Sequence, residues 1–199
     1  MTYAARTARL AYLAPLVMLA GCISLGEDPP DRLLTLTSQA TTSAGTAQSA
    51  QRSETIIIHE PGVPASLDVT RVPVQVNSTE IAYLKDALWV EKPSRLFRRL
   101  LAETMRAKTG RVVLDGDDPA FSGGENLRGT LRAFGYDASN SSVVVQFDAI
   151  RQGDGGRVET RRFEAVEQGV LAEAAPVGDA LNRAANRVAE EVADWVSGS

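Results

Sequence analysis

The single cysteine of this chain, Cys22, carries its only thiol and lies shortly after an apolar run. The basic residues Arg6 and Arg9 come first, then the apolar run 10–19, then two small residues. A membrane-spanning helix needs about 20 apolar residues, so a run of about ten is too short to anchor the chain by itself. Basic, apolar and small residues in this order are typical of a secretory signal peptide.

The four residues 19–22, Leu-Ala-Gly-Cys, resemble the bacterial lipobox. In that motif the small residues lie extended in the signal peptidase, and the cysteine thiol accepts a diacylglyceryl group. Cleavage makes the cysteine the new N-terminus, and its amine is usually acylated too. Several acyl chains hold a protein on a bilayer because each buried methylene contributes about 0.8 kcal/mol. We therefore predict a lipoprotein signal peptide over residues 1–21 and lipid attachment at Cys22.

The alternative for Cys22 is a buried core cysteine behind an ordinary N-terminal helix. Pro15 and the absence of a polar face in residues 10–19 speak against such a helix. The residue after the cysteine is Ile23. In enteric bacteria an aspartate at this place retains a lipoprotein in the inner membrane. Ile23 therefore favours the outer membrane, on its periplasmic side, while inner-membrane anchoring is left open.

The only histidine, His59, is the other side chain that could do chemistry. A lone histidine with no cysteine or second histidine nearby is rarely a metal ligand, and a Ser-His-Asp triad would have to use it. The acidic run 115–118 lacks the spaced ligands and the closing glutamate of a calcium-binding loop. We predict no catalytic residue, no metal site and no cofactor.

The amino-acid composition and the net charge argue against one class of partner, nucleic acid. The chain is 44% hydrophobic, which is enough for a packed core, and its formal net charge is −4. Loss of residues 1–21 removes Arg6 and Arg9 and makes the mature protein more acidic. Nucleic acid is therefore not an expected partner, because phosphate binding needs a concentrated basic surface. Residues 22–199 have the length of one domain.

The pattern after the signal peptide starts with short strands. A strand is predicted at 33–37, followed by a flexible loop at about 38–54, where no large apolar side chain is present to offset chain entropy. Further strands are predicted at 56–58, 72–76 and 87–90. Pro73 cannot donate a hydrogen bond to a neighbouring strand, so the segment 72–76 is expected at a sheet edge or a bulge.

Two amphipathic helices frame the second half of the chain. The first begins at Pro93, which suits the first helical turn, and stops at Gly110. The second runs from about Val177 to Val196. Between them lie a strand at 112–114 and three alternating segments joined by turn signals, which predict an antiparallel meander over 127–136, 143–150 and 157–166. This order predicts an α+β two-layer domain with a largely antiparallel sheet and two amphipathic helices.

One segment carries aromatic side chains that are candidates for partner binding. Residues 81–93 contain Tyr83 and Trp89 between turn signals. Large aromatic side chains can anchor a protein partner. The alternative is that Trp89 fills the core between sheet and helix, and the sequence alone leaves both open.

At this segment the chain resembles the ABC-type transport auxiliary lipoproteins, the PqiC-like outer-membrane lipoproteins of MCE systems. The most specific part is 82–101, where Trp89, Glu91 and Pro93 fit the family's Trp-acid-Pro pattern ahead of a helix rich in Leu, Phe and Arg. The lipobox, the early Leu-rich strand, the meander and the C-terminal helix also match the family's order. The resemblance covers nearly the whole mature chain except the loop 38–54.

The resemblance implies a non-enzymatic accessory subunit in lipid transport. The family is encoded with an ATPase, a permease and an MCE-type substrate-binding protein, which move phospholipid or other hydrophobic cargo between two membranes. It implies docking on the MCE-type protein from the outer-membrane side, and a homo-oligomer, because some relatives form rings. Two other functions stay open: a structural lipoprotein that assists outer-membrane assembly without a transport role, and a periplasmic enzyme that depends on His59.

Overall fold

The computed structural model describes residues 32–116, 124–153 and 155–198, so the predicted signal peptide and Cys22 lie outside the described residues. Within these ranges the chain forms one mixed sheet of seven strands and two α-helices. The predicted α+β class is confirmed. The strands are β1 (Ile56–Ile58), β2 (Arg71–Gln75), β3 (Ile81–Leu88), β4 (Val113–Asp115), β5 (Glu125–Asp137), β6 (Ser142–Gln152) and β7 (Val158–Gln168).

The long strand β5 is the centre of the sheet. On one edge it pairs with β6, which pairs with β7, and both pairs are antiparallel. This is the predicted meander. The other edge of β5 pairs with two strands in turn. β1 pairs in parallel with the first three residues of β5, and β2 pairs in parallel with its last two, Tyr136 and Asp137. Between them, Gly62 makes a β-bridge to the middle of β5. β4 then adds to β1 and β3 to β2. The parallel pairs were not predicted.

Pro73 was expected at a sheet edge or at a bulge, and it lies at a bulge in β2. The register of β2 on β3 shifts between Arg71 and Pro73, and β2 is an inner strand. The bulge places the proline nitrogen, which has no hydrogen to donate, at an irregular point of the ladder.

The two helices are α1 (Pro93–Thr109) and α2 (Ala174–Ser197). Gly110 closes α1 in the left-handed conformation, with φ +62°, which glycine adopts without strain. Both predicted helix positions are confirmed, with α2 extending three residues before its predicted start. The ring of Phe97 on α1 packs on Phe147 of β6, with centroids 5.2 Å apart.

Strand β6 shows why one face of the sheet is covered and the other is not. Its side chains alternate between the two faces, as in any pleated strand. The residues under the helices are almost fully buried: Val143, Val145, Phe147 and Ala149. The residues between them point to the opposite face, which neither helix covers. We call this opposite side the uncovered face.

The N-terminal part of the described chain differs from its prediction. Of the predicted strand 33–37, only Leu34 makes a β-bridge, to Trp89. The next residues do not pair with the sheet because their backbone groups bind side chains of α2. The backbone N–H of Thr37 donates to Asn182 Oδ1 at 2.8 Å.

We call residues 34–42 the strap, because they lie across both helices. The amide of the buried Asn186 receives a hydrogen bond from the Gln39 N–H and donates to the Thr37 carbonyl, at 2.8 and 2.9 Å. The N–H of Thr42 reaches Glu103 Oε1 on α1 at 2.9 Å. These bonds fix the first part of the segment 38–54, and the flexibility of the remainder stays a prediction.

Candidate docking site

A groove opens on the uncovered face, where β2 meets β5 only at its last two residues. Its volume is about 390 Å³, and the short 3-10 helix Ala65–Leu67 closes one side. Most of its lining is apolar and comes from three separate segments: Pro64, Leu67, Pro73, Ile81, Ala133 and Val144. The groove therefore offers a concave apolar surface on a face that the helices leave open.

The floor of the groove depends on a close approach of β2 to β5. A Cβ at Gly135 would lie 2.4 Å from the Pro73 carbonyl oxygen and 2.9 Å from its Cγ. No other residue type fits there without moving the strand. Gly135 thus lets the proline ring of β2 lie directly on the backbone of β5.

The rim of the groove carries a charged cluster in which two arginines share one carboxylate. Asp148 on β6 accepts two hydrogen bonds from Arg162, at 2.6 and 2.9 Å, and one from Arg132 Nε at 2.9 Å. The hydrogen bonds from Arg162, and then from Arg132, hold the pKa of the Asp148 carboxyl far below its usual range. Arg132 is thus fixed at the rim in an ion pair with Asp148.

Tyr83, one of the two predicted partner-binding residues, borders the groove. It pairs with Pro73 across β2 and β3, and its hydroxyl lies 3.5 Å from the Ser66 carbonyl. The guanidinium carbon of Arg71 lies 4.5 Å from the ring centroid, a cation–π distance. Tyr83 is half-buried, so part of it is accessible. Its role in binding stays a prediction, and the structure places it beside an apolar groove.

Trp89, the other predicted residue, lies in the core with 2% of its surface exposed. Its ring packs on Phe134 with centroids 5.5 Å apart. Its indole N–H has no acceptor among the described residues. This position agrees with the alternative, in which Trp89 fills the core. Because Phe134 lines the groove, Trp89 supports the groove from beneath, and a direct docking role stays a prediction.

His59 lies away from the groove, at the end of β1. Its Nε2 is 2.8 Å from Asn126 Oδ1 on the neighbouring strand. In the described ranges no group of three or more His, Cys, Asp or Glu side chains could hold a metal ion. Neither α-helix of the described part combines the length and apolar content that crossing a bilayer requires.

The sequence reasoning missed the groove itself. Ile81 opens a strand that was predicted only at 87–90, and Arg132 sits at a bulge in β5 that no local pattern marks. The signal was present in part, since a proline in a strand and a glycine in the meander both indicate close backbone approach. Their contact was not predictable, because Pro73 and Gly135 are 62 residues apart in the chain.

A family model for the ABC-type transport auxiliary lipoprotein component covers residues 34–193. No curated protein matches the chain.

Solved structures share the fold at low sequence identity. A Xanthomonas campestris protein of family DUF330 is 18% identical, with a TM-score of 0.66 over 84% of this chain and 96% of that one. An uncharacterised protein is 13% identical, with a TM-score of 0.65 over 83% and 100%. The PelC dodecamer from Paraburkholderia phytofirmans is 12% identical, with a TM-score of 0.40 over 73% and 91%. The first two share this architecture, and the third is too distant to bear on it.

Proposed function

This chain belongs to the ABC-type transport auxiliary lipoprotein family, and we propose that it is the lipid-anchored periplasmic subunit that docks on the MCE-type substrate-binding protein of its transporter. The family is a transport auxiliary component and not an enzyme family. The family match over residues 34–193 carries the proposal, because it takes in nearly the whole described domain.

In this proposal the lipid anchor and the folded domain have separate roles. Residues 1–21 are removed, and Cys22 carries the acyl anchor in the outer membrane. The ATPase and permease supply the energy and the passage for a hydrophobic cargo. The folded domain holds the substrate-binding protein near the membrane, because tethering raises its effective concentration at that surface.

The groove on the uncovered face is the surface we assign to the partner. Its lining is mostly apolar, and Ile81 in it is 50% exposed. Burial of such a pocket by a partner's side chain is the usual centre of a protein interface, with polar groups around it. Arg132 and Asp148 supply that polar rim. With Arg162 the cluster sets two guanidinium groups against one carboxylate, so the rim presents one net positive charge to a partner.

Site-specific photo-crosslinking in native cells tests the assignment. A photoreactive residue at Ser66 or Ala133, in the groove, is expected to capture the MCE-type protein. Val158 is the matched control, since it is also exposed but lies at the far end of β7. Capture from the groove positions alone supports the proposal. Capture only of envelope-assembly factors would favour the structural lipoprotein, and capture from Val158 alone would assign docking to another surface.

The anchor is tested separately by Cys22→Ser. The variant has no thiol to accept the diacylglyceryl group, so we expect an unacylated precursor that is not correctly processed. Intact-mass analysis of the protein from its host checks this. A variant that still carries acyl chains and remains on the membrane would show that the anchor is not at Cys22.

A further inference from the structure

Two turns of the sheet lie at the same end of the domain. Gln75, the last residue of β2, pairs with Asp137, the last residue of β5. The turn 76–80 after β2 and the turn 138–141 after β5 are therefore neighbours. The N–H of Ala138 donates to the Gln75 carbonyl at 2.9 Å, which ties one turn to the other strand.

The loop 169–173, between β7 and α2, lies at this end as well. The N–H of Val170 donates to the carbonyl of Ser141 at 2.9 Å. The hydroxyl of Tyr136 donates to the Val170 carbonyl, also at 2.9 Å. We call the surface formed by residues 76–80, 138–141 and 169–173, together with Ile81, the turn end.

Large apolar side chains are exposed at the turn end. Leu171 is 66% exposed, Ile81 50% and Val76 42%. Each comes from a turn or from the residue beside it, so their exposure does not come from a frayed strand. Single exposed apolar residues are ordinary on protein surfaces, but several at one end of a domain indicate a contact surface.

The strap shows where the chain leaves the domain toward its anchor. Leu34 packs against Gly178, one turn into α2, where a Cβ would come within 2.6 Å of a Leu34 methyl. The N–H of Gln39 binds Asn186, about two turns further along α2. The strap therefore runs away from the start of α2, and the chain before Leu34 leads back toward the turn end. Leu33, on that side, is 52% exposed.

The length of the tether limits how far the domain can stand from the membrane. Nine residues lie between Cys22 and Arg32, so ten Cα–Cα steps join the two. A chain extends by at most about 3.6 Å per residue, so the tether spans at most about 36 Å. Because the chain before Leu34 leads toward the turn end, a tether of this length favours an orientation with that end nearest to the bilayer.

We propose that the turn end rests on the same bilayer that holds Cys22, with Leu171, Ile81 and Val76 in its interfacial layer. The inference rests on the proposed lipid anchor. Acyl chains and apolar side chains then act together, because the anchor supplies a high local concentration for a contact that is weak alone. The groove, whose lower end includes Ile81, opens sideways above the membrane.

The charges at the turn end decide which lipids it favours. Glu80 and Glu173 belong to the turn end, and Asp137 immediately precedes its turn 138–141; all three are acidic. An anionic headgroup would be repelled, so the contact depends on apolar burial and favours zwitterionic lipid. We expect no gain from added anionic lipid.

Depth-sensitive fluorescence on the acylated protein tests the proposal. The Cys22 sulfur is blocked by its lipid, so a thiol dye attaches only to an introduced cysteine. Leu171→Cys reports on the turn end, and Val158→Cys, another exposed apolar position, is the control at the opposite end. The labelled proteins are reconstituted into phosphatidylethanolamine–phosphatidylcholine vesicles with or without brominated lipid.

We expect brominated lipid to quench the dye at position 171 at least threefold more than the dye at 158. Equal quenching at both positions, or none at either, overturns the inference. Quenching that increases with anionic lipid also overturns it, since that would show headgroup attraction. The intact mass of each sample reports acylation independently. A protein without acyl chains contradicts the proposed function, whereas an acylated protein without quenching contradicts this inference alone.

Discussion

The sheet carries two carboxylates that are each held by two arginines, on opposite sides. Glu125 lies on the helix side with 8% of its side chain exposed and accepts from Arg111 and Arg151. Asp148 lies on the uncovered face with 25% of its side chain exposed and is held by Arg132 and Arg162. Each carboxylate is held by two arginines, and the main difference between the clusters is how far water reaches the carboxylate.

The buried cluster joins several elements. Arg151 also donates to the Trp195 carbonyl at 3.3 Å, so Glu125 connects β5 and β6 to the end of α2. Removal of a buried partner leaves charges that water cannot fully solvate. At Asp148, water screens the pairs, and the cost of losing one is small. The comparison indicates that the buried cluster contributes more to the stability of the domain than the exposed cluster.

The largest expected effect is at Trp89, on the covered side. Trp89→Ala removes the ring that packs on Phe134 and should lower the free energy of unfolding by about 3–5 kcal/mol. Trp89→Phe keeps a ring at this position and should cost much less, since the indole N–H has no partner among the described residues. Urea unfolding measures both. An alanine variant of normal stability that no longer crosslinks to the partner would make Trp89 a docking residue instead.

Glu125→Ala is expected to have the next largest effect. The free energy of unfolding should fall by about 3 kcal/mol, at the low end for a broken buried pair, because both arginines are partly exposed. Glu125→Gln keeps an acceptor and should recover part of the loss. If the alanine variant and the natural protein were equally stable in urea, the buried Glu125 cluster would contribute no more to stability than the exposed Asp148 cluster.

Asp148→Asn should have the smallest effect, a loss of at most about 1 kcal/mol at pH 7. The folded-state pKa of Asp148 lies far below its unfolded value of about 3.9, so its ion pairs contribute fully above that pH and lose their contribution progressively as the pH falls from there toward the folded-state pKa. The difference from the natural protein should therefore begin to shrink below about pH 4 and continue to shrink in stronger acid. Urea midpoints of both proteins, measured as the pH is lowered, check this. A stability difference that grows in acid would contradict the prediction.

The elements with strong local signals were predictable from the sequence. Pro93 and Gly110 mark the ends of α1 because each has a backbone preference that acts without help from the rest of the fold. The meander was predictable because its three strands follow one another with short turns between them.

The remaining features depend on contacts between distant segments. The polar residues Lys85 and Asp86 interrupt the pattern of β3, and Asp86 has a φ of +56°, so its full length was not apparent. The parallel pairs of β1 have no local signature, because their partners lie after α1. The strap was hidden for the same reason: its Ser- and Thr-rich composition is typical of a loop, and its order comes from Asn182 and Asn186 on the last helix.

The strap also has a mechanical consequence. If Cys22 carries the proposed anchor, a pull by the membrane reaches the domain through residues 34–42. These residues lie along α2 with Leu34 nearest to Cys22 in the chain, so the force loads the backbone bonds of Leu34 together with the Asn182 and Asn186 hydrogen bonds. Bonds loaded together resist more force than bonds opened one after another. With the proposed anchor in place, this polar segment would carry the mechanical load between the acyl chains and the folded domain.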